Sequence, residues 1–166
     1  MILIVLIVFT GCGQNRITEK EEKKETVESE MNAEAKKAAQ TFRSVYMKEK
    51  SELNTLKVKR KIINCLEEKG YAAVDCDNQI DMVNREKVEE FCKAAEKEEQ
   101  ATVDIVVVFD EGEIIQYHLE SMNGKINVRL CQVKWKDNSP QANYYDEYEA
   151  YEWAGVAVLS WRLSSR

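Results

Sequence analysis

The 166-residue chain contains one histidine, one proline and six glycines. A single His118 excludes the multi-histidine sites that zinc favours and leaves little for histidine acid–base chemistry. So little proline and glycine excludes collagen-like and linker-array architectures. None of the five cysteines forms a Cys-x-x-Cys pair, so thioredoxin-like and zinc-ribbon chemistry have no support. Ser121 and Ser160 lack a Gly-x-Ser-x-Gly context. Basic charge is short as well: 24 Lys and Arg stand against 30 Asp and Glu, a net charge of −6, which argues against nucleic acid as a partner. No apolar run reaches the ~20 residues of a membrane-crossing helix. What is present is an acidic chain whose length suits one domain with extensions.

The N-terminus carries the strongest signal. Residues 1–9 are all apolar, and Thr10-Gly11-Cys12-Gly13 follow. As a helix they would reach about 13–14 Å, well short of the ~30 Å hydrocarbon core, so their length suits a signal-peptide core followed by small residues. A cysteine directly after Thr-Gly at the end of such a run resembles the lipobox of bacterial lipoproteins. The resemblance implies that residues 1–11 are removed and that Cys12 is lipidated and becomes the new N-terminus. Phe9 stands where that motif usually has Leu, and no Lys or Arg precedes the run, which suggests a start a few codons upstream. The alternatives are a short buried segment that happens to contain a Cys, or an uncleaved anchor. Two acyl chains would hold a protein stably, since each buried CH₂ contributes about 0.8 kcal/mol.

Residues 12–40 alternate Glu and Lys, with only Ile17, Val27 and Met31 as large apolar residues. They are expected to form a charged flexible stalk, or equally a helix exposed all round. The remainder, residues 41–166, reads as one α+β domain. Ala35, Ala38, Ala39, Phe42, Val45 and Tyr46 repeat at helical spacing. A second helix over residues 55–69 stops at Gly70, and a third follows Asn84 as N-cap, with Val83 and Val88 spaced as a hydrophobic staple. Extended segments follow at 71–74, 103–109 and 114–121. Asn123-Gly124 marks a hairpin that pairs Met122 with Lys125, Leu119 with Val128 and Tyr117 with Leu130. The apolar parity then shifts to Cys131, Val133 and Trp135, which predicts a bulge near 130–131. Residues 137–140 read as a turn, and a last hairpin is expected from 144–153 and 156–163 around Ala154-Gly155. The expected fold is α+β: two to three N-terminal helices packed on one face of an antiparallel β-meander of four or five strands.

Gly70-Tyr71, Val74-Asp75, residues 78–84, Val88 and Phe91-Cys92 carry a second resemblance. From residue 71 to 161 the chain resembles a family of lipoproteins from Gram-positive gut anaerobes, known as a domain of unknown function. The resemblance implies a lipid-anchored setting on the extracytoplasmic face of the cell membrane and supplies no activity. It also implies that relatives continue past Arg166.

Three groups of residues could carry chemistry. Asp75, Asp77, Gln79, Asp81 and Glu86 stand at positions 1, 3, 5, 7 and 12 of a calcium-loop template whose central Gly is replaced by Ile80. The competing reading is a loop of Asx turns leading into a helix. Cys65, Cys76, Cys92 and Cys131 permit disulfides in three pairings, or pack as buried thiols, which an anaerobic habitat would favour. Residues 144–153 hold four of the seven tyrosines. With Tyr145, Tyr151 and Trp153 on the inner face of a strand, Tyr144, Asp146 and Tyr148 would form an outer patch for a protein or glycan partner. His118 reads as an exposed strand residue. The function expected is therefore a non-catalytic, lipid-anchored binding domain, without cofactor, whose membrane contact is its lipid. The alternative is a wall-glycan hydrolase or sugar-binding module on the same strand, with Glu147 and Glu149 about 7 Å apart as paired carboxylates.

Overall fold

A computed structural model describes residues 14–150, with side chains from 24 to 145. Cys12 and residues 151–166, including Tyr151, Trp153 and the expected last hairpin, lie outside the described residues. Helices α1 (Gln14–Thr41), α2 (Arg43–Lys48) and α3 (Leu56–Glu68) come first, then strand β1 (Ala72–Asp75) and helix α4 (Arg85–Glu96). Strands β2 (Ala101–Val108), β3 (Ile114–Met122), β4 (Lys125–Lys136) and β5 (Ser139–Ala150) complete a five-stranded sheet of order β1-β2-β3-β4-β5. The protein is α+β, with helices first and a mostly antiparallel sheet after them. Strand β1 is the exception: it runs parallel to β2, joined by the α4 crossover.

Local chemistry explains the ends of these elements. Thr55 caps α3 by accepting from the Val58 amide. At its other end Gly70, at φ 81°, lets the Gly70 and Tyr71 amides donate back to Glu67 and Leu66. Asn84 is the N-cap of α4, as expected, but its side chain makes no cap hydrogen bond. Asn84 sits left-handed, and its Nδ2 donates to the carbonyls of Tyr71 (2.8 Å) and Glu67 (3.2 Å) instead of capping α4 with its side-chain oxygen.

The β3–β4 hairpin has the expected register, Met122 to Lys125, Leu119 to Val128 and Tyr117 to Leu130, with Asn123 and Gly124 both at positive φ. The bulge is displaced. Register β3–β4 runs unbroken to Ile114 and Val133, and the irregularity lies between β4 and β5, where Leu130 faces Tyr145 and Val128 faces Tyr148. A second tight turn, Asp137-Asn138 at φ 50° and 63°, starts β5 at Ser139, five residues before the expected strand. Pro140 is tolerated because, among the described residues, β5 lies at the end of the strand order and bonds only β4.

The parity shift in β4 has another cause: helices cover both faces of the sheet, not one. Against one face α1 and α3 bury Ala35, Ala38, Phe42, Ile62 and Ile63 over Val106, Val108, Ile114, Cys131 and Val133. Against the other, α4 packs Val88, Phe91 and Ala95 onto Ile105, Tyr117 and Leu119. Each strand must therefore be apolar on whichever face is covered at that point. The expected stalk is corrected in the same way. Residues 14–41 form one helix, and Met31, Ala35, Ala38 and Ala39 are buried. Small residues at helical spacing let α1 lie close to β4 and β5, which a tether does not do.

Candidate functional site

The end of the sheet where β2 turns into β3 opposes the α2–α3 connection. Phe42 and Tyr46, one helical turn apart, reach toward Trp135 near the end of β4. Tyr46 stacks on Trp135 with ring centroids 4.1 Å apart and planes 11° from parallel, while Phe42 meets the same indole edge-on at 5.9 Å. The indole Nε1 donates to the Gly112 carbonyl at 2.9 Å. Gly112 has φ 71°, and a Cβ there would stand 3.0 Å from the Tyr46 ring. Glu111 is also left-handed, at φ 58°, and its amide donates to Asn54 Oδ1 at 2.8 Å.

These constraints frame an open groove of about 450 Å³, a size suited to a small ligand. Around the Tyr46–Trp135 pair stand Lys50, Ser51, Asn54, Glu111, Glu113 and Lys134. Lys50 Nζ lies 5.5 Å from the Tyr46 ring centroid and donates to Asn138 Oδ1. Glu113 accepts from Gln132 and faces Lys134 Nζ at 3.7 Å. Burial, reinforced by the Glu111 charge, pushes the Tyr46 hydroxyl pKa up and keeps it a donor. An aromatic wall flanked by donors and acceptors of both charges can bind a polar, ring-bearing ligand.

The calcium template is dispersed. Asp75, buried at the end of β1, accepts the Ile80 amide on Oδ1 at 2.7 Å, and its other oxygen has no partner among the described residues. Asp77 accepts from Lys59 Nζ at 3.1 Å, and Asp110 accepts from the same ammonium at 2.7 Å. Lys59 is 3% exposed. Its burial favours the neutral amine, but the two carboxylates outweigh that and raise its pKa well above the ordinary lysine value. Gln79, Asp81 and Glu86 are exposed. Among the described residues no group of three or more His, Cys, Asp or Glu is placed to hold a metal ion. A protein ammonium occupies the position beside Asp77 where a cation would compete.

His118 is not the exposed strand residue expected. Its face lies on the side of α1 and α3, and Nδ1 meets Asp104 Oδ1 at 3.0 Å. Gln116, buried beside it, donates to the same oxygen at 3.3 Å. Tyr144 is half-buried against the α1 core rather than standing outside. The side chains of Asp146, Glu147, Tyr148 and Glu149 lie outside the described residues. Cys65, Cys76, Cys92 and Cys131 are all free thiols. Burial pushes the pKa of the Cys131 thiol up to about 11, and that thiol donates to Asn32 Oδ1 of α1.

Sequence reasoning missed the groove because each member has an ordinary explanation: Tyr46 continues a helical stripe, Trp135 a strand and residues 111–113 a turn. The available signal was the i, i+4 aromatic pair Phe42 and Tyr46.

The fold and groove define a small α+β domain with an open, aromatic-walled site. Residues 25–155 match the family model DUF6070, a family of unknown function, and the chain belongs to that family. No curated protein and no solved structure matches it.

Proposed function

We propose that this protein is a lipid-anchored domain held on the extracytoplasmic face of the cell membrane through Cys12, and that it binds a sugar-containing ligand without transforming it. The observation that carries the binding reading is the groove at Tyr46 and Trp135. A pyranose offers apolar C–H faces to aromatic surfaces and a ring of hydroxyls to mixed donors and acceptors. Ser51, Asn54, Glu113 and Lys134 surround the stacked pair with such groups. The anchoring part rests on the apolar run ending at Cys12. Wall glycan is the polymer within reach of a domain so held.

Two measurements test this reading. Cells fed an alkyne fatty acid should label the wild-type protein and not Cys12→Ser; a labelled Cys12→Ser protein overturns the anchor. With Trp153 and Trp161 replaced by Phe so that Trp135 alone reports, soluble wall-glycan fragments should quench or shift the fluorescence, and Glu113→Gln with Lys134→Gln should weaken that response about tenfold or more. Cleavage of the fragments would replace binding by hydrolysis. No response at millimolar sugar would overturn the groove assignment.

A further inference from the structure

A second cavity, of about 630 Å³, lies at the other end of β2. Strand β1 pairs only with the second half of β2, from Ile105 to Val108. Residues 101–104 pair with β3 on one side and have no strand on the other among the described residues. All four of them line the cavity. Side chains alternate along a strand: Ala101 and Val103 face α4, and Thr102 and Asp104 face the opposite side. A cavity that touches four consecutive residues must therefore run along the backbone edge. It occupies the space β1 would fill if it began four residues earlier. Its outer wall is α4, through Phe91 and Ala94.

The outer edge of β1 is treated differently. Ala73 and Val83 exchange two backbone hydrogen bonds, which close that edge. Open strand edges usually carry a device against stray pairing, and residues 101–104 carry a groove. The groove is blocked where β1 begins, at Gly70 and Tyr71. Two ammonium groups, Lys69 and Lys87, and two carboxylates, Glu90 and Asp104, stand in its lining, and Lys87 donates to the Gly70 carbonyl at that blocked end.

We propose that this groove takes an extended peptide that adds as a short strand on the open edge of β2, parallel to it, with its free C-terminal carboxylate against Lys69 and Lys87. Four residues at strand spacing span about 13 Å, the length of edge available. The amides and carbonyls of residues 101–104 that point away from β3, where no strand of the described residues lies, supply main-chain bonding, and alternate peptide side chains face Phe91 and Ala94. A peptide running the way β1 runs brings its C-terminus to the blocked end, where a chain must stop and where the Lys87 ammonium stands.

The test uses the full chain in detergent micelles, a pool of random hexapeptides with free C-termini, and the same pool amidated. Free-carboxylate peptides should bind and slow amide exchange within residues 101–104. Amidation, or Lys69→Gln with Lys87→Gln, should weaken binding about tenfold or more. Ala94→Trp should fill the groove and abolish binding with an unchanged melting temperature. If that variant melts early, the lysine pair decides alone. No binder at millimolar peptide, equal binding of amidated peptides, or protection at Tyr46 and Trp135 instead of residues 101–104 would overturn the proposal.

Discussion

Gly112 shows how one residue fixes the groove. Its φ of 71° suits glycine, and any side chain would press on the Tyr46 ring that Trp135 needs as a stacking partner. Gly112→Ala should therefore cost about 1–3 kcal/mol, from backbone strain and displaced aromatics together. Urea denaturation followed by tryptophan fluorescence reads both, and an unchanged midpoint would show that the ring yields freely. Asp104 makes a pH prediction. Burial opposes its charge, but the hydrogen bond and charge of His118, with the Gln116 amide, outweigh that and hold its pKa below the usual carboxylate range. A carboxyl depressed in the folded state stabilises above its unfolded pKa of about 3.9, and the contribution fades as pH falls through the folded value. The Asp104 side chain keeps 45% exposure, so solvent screens the effect. Asp104→Asn should lose less than about 1 kcal/mol at neutral pH, and its loss of stability between about pH 5 and 3 should be shallower than wild type. A steeper acid slope in the variant would contradict the pairing.

Among the elements, α1 departs furthest from expectation and α3 least. The stripe of α3 and its stop at Gly70 were legible because a 3.6-residue repeat and a positive-φ glycine are local signals. The hairpin at Asn123-Gly124 was legible for the same reason. The stripe Ala35, Ala38, Ala39 and Phe42 at the end of α1 was legible as helical spacing, but its extension back to Gln14 and the burial of Met31 were not, since the Glu- and Lys-rich segment before it offers few large apolar residues. Coverage of both sheet faces and the parallel pairing of β1 were hidden as well, because they depend on which helix lands on which side, a question of tertiary packing. The groove was illegible because Tyr46, Trp135 and Gly112 come from three separate elements. The alanine stripe makes a prediction. Ala38→Leu adds volume where α1 lies against the sheet, and overpacking of this kind costs about 1–3 kcal/mol. Thermal melts should show it, while a lysine at exposed Ala33 should change little. Equal effects at both positions would mean that α1 is not seated as described.

For the whole molecule, the four free thiols among the described residues report on cooperativity. Cys131 is fully buried, while Cys65, Cys76 and Cys92 are half-buried near the surface. Under native conditions a maleimide reagent should modify Cys131 far more slowly than the other three, at the rate of global unfolding. Mass spectrometry of peptides over time checks this, and early modification of Cys131 would reveal an independent opening of α1. That helix has a further consequence, because its partners are so distant in sequence: Asn32 of α1 meets Cys131 of β4 across 99 residues. The β2–β5 hairpins can close within a few residues of one another, whereas loop-closure entropy delays contacts of such long range. A chain emerging from its N-terminus makes α1 first and the surface that α1 covers last. The helix must then wait, alanine face bare, until β4 and β5 have been delivered.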